Sequence, residues 1–125
     1  MKYSLLITQV AEGEKTVTAV DADGTIYDGV LILHYIFDGA EYCLEISGNE
    51  MSQLRTGAVK MFMRFSEGLT TVAQFGDGVN GGEFPIFTRK LEVKFDGADC
   101  NVSCEFSYGA YGEAIILSVS AYVLQ

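Results

Sequence analysis

An all-β fold, an antiparallel barrel of roughly eight to ten strands, is what the sequence predicts. Three observations carry this. No stretch of a dozen residues repeats its apolar positions every three to four residues, as a helix would require. Period-two alternation of β-branched and aromatic residues runs through most of the chain instead. Five Asp-Gly dipeptides, at 23–24, 28–29, 38–39, 77–78 and 96–97, punctuate it. Both residues of that pair tolerate positive φ, which tight hairpin turns demand.

Reading between these marks gives the strands in order. Lys2–Ala11 aligns Tyr3, Leu5 and Ile7 on one face, and Glu12-Gly13-Glu14 turns the chain. Thr16–Tyr27 is long, with a bulge or bend expected near Asp23-Gly24. Val30–Phe37 aligns Leu31, Leu33, Tyr35 and Phe37, and Ala40–Ser47 alternates Tyr42, Leu44 and Ile46. Met51–Thr56 and Val59–Phe65 come next, the latter aligning Met61, Met63 and Phe65. Leu69–Phe75 leads into a glycine-rich loop, Gly76–Gly82. The last strands are Phe84–Phe95, Asp99–Ser107 and Glu113–Val123, where Ile115, Leu117, Val119, Ala121 and Val123 share a face. A meander this long leaves two exposed edges unless it closes, which favours a barrel over an open sheet. The length fits one domain, 1–125, and a 49% hydrophobic fraction argues against disorder.

Composition excludes several functions. Seventeen acidic residues against eight basic ones give a formal net charge of −9. The basic residues are scattered, with only Arg89 and Lys90 adjacent, so binding to nucleic acid or anionic lipid is disfavoured. The opening Met1–Thr8 has too short an apolar run for a signal peptide, and no segment approaches a membrane-spanning helix; a cytoplasmic protein is expected. Cys43, Cys100 and Cys104 are odd in number and form no Cys-x-x-Cys. Cys100 and Cys104 would stand about 13 Å apart on one strand face at ~3.3 Å per residue, too far for a disulfide. They read as reduced, apolar side chains. Asn101-Val102-Ser103 matches a glycosylation sequon but carries no weight without a secretory signal.

Most motifs that invite a chemical reading fail on context. Gly76-Asp77-Gly78-Val79-Asn80-Gly81 matches the dinucleotide pattern Gly-x-Gly-x-x-Gly. The next residues, Glu83-Phe84-Pro85-Ile86-Phe87-Thr88, are strand-like, not the helix whose N-terminus would hold pyrophosphate. Asp21-Ala22-Asp23-Gly24 opens like a calcium loop, yet Ile26 and Ile32 stand where its glycine and bidentate glutamate belong. His34 is the only histidine, so every Ser-His-Asp or Cys-His scheme would need it; a structural histidine at or near the surface is the simpler reading. One histidine and three dispersed cysteines offer no zinc spacing, so no metal and no cofactor is expected. A hydrolytic pair among the many carboxylates cannot be identified from sequence, and most acids sit in turns. Arg55 shares strand parity with Met51 and Gln53. If that face is the lumen, Arg55 is a buried cation that could hold a carboxylate or phosphate in a bidentate fork. The simpler alternatives are that it faces solvent or pairs internally with a Glu or Asp.

Arg55-Thr56-Gly57-Ala58-Val59, then Met61, then Phe65 with Glu67-Gly68, and then Gly82 with Phe84 and Thr88, resembles the YwiB-like family of uncharacterised bacterial proteins. The upstream Asp28-Gly29 with Leu31, Leu33 and Tyr35 is similar too, so the resemblance spans nearly the whole chain. It implies an up-and-down calycin-like (lipocalin-like) β-barrel, but no function and no catalytic residue. The chain departs from the family at Gly76–Gly82, glycine-rich where a segment with a Tyr and a Thr is expected, which puts a ligand contact from that loop in doubt.

These readings support two functional expectations. The first is a non-enzymatic binder of a small apolar or carboxylate ligand in the barrel, with Arg55, Met51, Gln53, Tyr35, Met61, Met63 and Thr88 as ligand-facing residues. A lumen filled by side chains, with no cavity near Arg55, would remove its basis. The alternative is a protein-interaction module or homo-oligomer using outward apolar residues such as Phe62, Phe87, Ile116 and Tyr122. An enzyme is the lesser expectation, since a lone histidine and no metal signature leave little to build one from.

Overall fold

A computed structural model describes residues 1–125 and contains ten strands and no helix. They are β1 Lys2–Ala11, β2 Glu14–Tyr27, β3 Val30–Phe37, β4 Ala40–Ile46, β5 Glu50–Thr56, β6 Lys60–Ser66, β7 Thr70–Gly76, β8 Gly81–Asp96, β9 Asp99–Ser107 and β10 Ile115–Val123. Each strand pairs antiparallel with its neighbours in sequence, and β10 pairs with β1 to close the barrel. Of 81 backbone–backbone hydrogen bonds, 73 lie within strands, so the ladder itself is the framework.

Turn chemistry sets the register. Glu12-Gly13, Asp28-Gly29 and Asp38-Gly39 all have positive φ at both positions, 51–53° at the acid and 76–78° at the glycine. That is the type I′ geometry whose twist matches the flanking strands. Through Asp38-Gly39 it forces Phe37 opposite Ala40 and Tyr35 opposite Tyr42. Parity then sends every second residue inward.

The lumen fills in layers. In the lowest, Leu31, Ile46, Met51 and Phe65 stand side by side across four strands, each almost fully buried. Beside them Tyr3 closes the floor, its hydroxyl donating to the Ala98 carbonyl at 2.8 Å. Next come Leu33, Leu44, Gln53 and Met63. The top layer runs Tyr35, Tyr42, Arg55, Met61, Phe75 and Gly82 across six strands. On the far wall Cys100, Val102, Cys104 and Phe106 of β9 face Ile115, Leu117, Val119 and Ala121 of β10 in one continuous core. Glu41, Glu45, Lys60, Arg64, Glu83, Lys90, Glu92 and Lys94 occupy the outer parity. Apolar inside and charged outside is the reverse of a membrane barrel. No helix is long and apolar enough to cross a membrane.

Three details differ from the sequence expectations. The bulge expected near Asp23-Gly24 is absent: Asp23 pairs regularly with both Lys2 and His34. Gly24 is there for another reason, since a Cβ would overlap the Tyr3 ring, which covers that face. The bulge falls instead in β8, between Thr88 and Lys90. The glycine-rich loop is shorter than expected, because Gly76 pairs with Gly81 and Phe75 with Gly82. Only Asp77–Asn80 turn outside the ladder, held by the Asp77 carboxylate accepting the Val79 and Asn80 N–H groups at 2.9 and 2.7 Å.

Candidate functional site: the open end of the barrel

The two ends of the barrel differ. The floor is sealed by the Tyr3 layer, whereas the opposite end narrows onto an unsealed cavity of about 200 Å³. Ile7, Gln9, Thr16, Thr18, Tyr35, Phe37, Tyr42, Gln53 and Leu117 line it. It exists because β2 and β3 diverge. Their ladder runs only from Tyr27↔Val30 to Asp23↔His34, and above that point β2 continues without β3. Thr16 and Thr18 are too small to fill the gap this leaves. Tyr35 and Tyr42 lie parallel across it, with ring centroids 4.9 Å apart and planes inclined by 2°. Both also border a shallow outer groove of about 400 Å³ with Asp21, Asp23, His34, Ile36 and Glu41, so the tyrosine pair separates lumen from exterior.

Arg55 does not line this cavity but stands next to Tyr42, which does. Its guanidinium carbon lies 5.9 Å from the centroid of the Tyr42 ring. Its Nε is buried and has no hydrogen-bond partner, and none of the ion pairs, Lys2–Asp23, Arg64–Glu50 and Lys94–Glu92, involves it. By parity it is the one cation pointing into the lumen. On its other side the wall is apolar. Met61 and Met63 come next on β6, and the aromatic series Phe75, Phe84, Tyr108 and Phe106 runs on with centroids 5.4–5.9 Å apart.

The sequence-derived residues therefore divide. Tyr35, Gln53, Arg55, Met61 and Met63 gather at the open end. Met51 lies in the lowest layer against Ile46 and Phe65, and Thr88 is wholly buried beside the β8 bulge with its hydroxyl unpartnered. Of the seven, only Tyr35 and Gln53 line the cavity itself. Tyr42, which lines the cavity, is not among them, although the Asp38-Gly39 turn places it opposite Tyr35 by simple counting. Phe62, Phe87, Ile116 and Tyr122 all have outward parity, on β6, β8 and β10. They form no single patch, since three strands separate Phe62 from Ile116 and Tyr122.

Ionisable groups elsewhere offer little for catalysis. His34 is exposed on the outer face, opposite Cys43. The cysteines are free thiols; burial pushes Cys104 up to about 12 and Cys100 up to about 11, and raises Cys43 as well. A thiol in that range is not the thiolate that nucleophilic chemistry requires. Burial also drives the Tyr35 phenol well above its usual value, with Tyr42 adding to the effect and Gln53 opposing it. No group of His, Cys, Asp and Glu is arranged to hold a metal.

The fold and site thus define a closed, ten-stranded, up-and-down β-barrel, sealed at one end, with one unpaired cation at the other. No protein-family model matches the chain. No curated protein matches it. Among solved structures it is similar to the YwiB protein from Bacillus subtilis, with a TM-score of 0.78 and 17% identity over 99% of this chain and 91% of that one. At that identity the similarity is one of fold, and the fold is the closed antiparallel barrel that the sequence resemblance implied.

Proposed function

We propose that the chain is a non-enzymatic binder of a small carboxylate, received at the open end of the barrel and anchored by Arg55. The observation that carries this is the unpartnered, buried Nε of Arg55, whose guanidinium stands against Tyr42, a residue that lines the cavity. The Arg55 side chain is half-buried with its Nε out of solvent, and this chain, rich in acids elsewhere, sets no counter-charge against it. A ligand carboxylate would supply both the charge and the acceptor, in a charge-assisted and preferably bidentate pair. Tyr35 and Tyr42 on one side and Met61 and Phe75 on the other would take up an apolar or planar body.

Size limits the ligand. The cavity has a volume of about 200 Å³. It is smaller than the roughly 300–1,000 Å³ of drug-sized sites. An aryl or short-chain acid fits this volume and a long lipid tail does not. Native mass spectrometry of the purified protein is the test. A small acid should travel with the wild-type chain and be lost from Arg55→Gln. Wild-type protein that stays at its apo mass when mixed with excess benzoate would overturn the proposal.

A further inference from the structure

The divergence of β2 from β3 also leaves a strand edge without a partner. From Glu14 to Asp23 one edge of β2 is bonded to β1. Its other edge is paired to β3 only from Asp23 onward, so Glu14–Ala22 presents free backbone donors and acceptors. Continued upward in the same register, β3 would end opposite Val20. The residues from Glu14 to Ala19 therefore project beyond the β3–β4 hairpin. Proteins commonly guard such an edge with proline, a bulge or inward charges. From Thr16 to Val20 this one has none of them: Thr16, Thr18 and Val20 have inward parity, Val17 and Ala19 are exposed outside, and charges stand only at the ends, Glu14 with inward parity and Lys15 and Asp21 on the outer face.

The sequence of this edge is complementary to itself. A two-fold axis perpendicular to the sheet must oppose residues of the same parity. Centred on Thr18, it sets Lys15 of one copy against Asp21 of the other, twice by symmetry, and Val17 against Ala19. Opposite charges and apolar pairs directly across an antiparallel ladder are both stabilising. Moving the axis one residue either way breaks the pattern. Centred on Val17 it opposes Lys15 to Ala19. Centred on Ala19 it opposes Val17 to Asp21 and Lys15 to Asp23, whose edge is already paired with His34. The charge pattern and the extent of the free edge thus select one register and one occupant. We infer that two copies of this chain associate through β2, joining their barrels by an antiparallel β2–β2 pairing centred on Thr18, with Val17 against Ala19 in the ladder and the Lys15 and Asp21 side chains meeting at its ends. The pairing would lie across the gap lined by Thr16 and Thr18. It requires no ligand at Arg55, so it stands or falls apart from the proposed function.

Sedimentation velocity over a concentration series reaching about 1 mM, the weak end of specific association, tests this. The wild-type chain is expected to pass from monomer to dimer. Lys15→Asp turns both attractions into repulsions and should weaken the dimer at least about tenfold. The charge swap Lys15→Asp with Asp21→Lys should restore it. Both positions are exposed, and unchanged thermal unfolding of each variant excludes misfolding as the cause. A wild-type chain that stays monomeric throughout, or a dimer indifferent to Lys15→Asp, overturns the inference. So does a dimer weakened by Lys15→Asp that the swap fails to restore.

Discussion

Arg55 is the residue on which most depends. An unpaired, part-buried guanidinium contributes little to folding, so replacing it with Met, similar in length and apolar, should leave stability unchanged or raise it by up to about 1 kcal/mol in urea denaturation. A loss above about 2 kcal/mol would mean that Arg55 has a structural partner after all. Gly24 is the opposite case. A methyl group there would overlap the Tyr3 ring, and that ring is locked by its bond to Ala98, so Gly24→Ala should cost about 1–3 kcal/mol by the same measurement. Asp77 carries a pH signature. The Asn80 and Val79 N–H groups hold its carboxyl below the usual 3.8. A carboxyl lowered in the folded state stabilises above its unfolded value, and that contribution is lost as pH falls through the folded one. The loop at 77–80 should therefore stay ordered to pH below 3.8. Amide shifts of Val79 and Asn80 in an acid titration should report a midpoint under that value.

At the scale of elements, the strands were legible because their signals are local. Alternation marks the faces and Asp-Gly marks the turns, so β3, β9 and the I′ hairpins fall where the sequence puts them. The β8 bulge was not legible, because its cause is non-local. The β6–β7 turn docks there: the Gly68 N–H donates to the Thr88 carbonyl, the Thr88 N–H to the Leu69 carbonyl, and the Leu91 N–H to the Glu67 carboxylate. Glu67, Gly68 and Thr88, three of the residues that carry the family resemblance, thus build the latch between that turn and the bulge. Gly82, another, lies under the Phe75 ring, which a Cβ would meet at 3.0 Å. Glu67→Ala should cost about 1 kcal/mol in chemical denaturation, and Glu67→Gln, which keeps an acceptor oxygen, should cost less. The lumen cavity was illegible for a similar reason: it depends on where the β2–β3 ladder stops, and no residue in β2 announces that point.

For the molecule as a whole, closure gives the barrel two unlike ends. Large side chains fill the floor, while Thr16, Thr18 and the divergence of β2 keep the other end open. The net charge of −9 sits in turns and on outer faces, leaving Arg55 as the lone charge within. The most direct test of this account is the side-chain Nε–H resonance of Arg55, monitored by ¹⁵N NMR as benzoate is added. Arg64 and Arg89 serve as controls in the same spectrum. The account predicts that the Arg55 signal alone shifts downfield and exchanges more slowly with water, while the other two hold still. An Arg55 signal that does not respond, or that moves no more than those of Arg64 and Arg89, would contradict it.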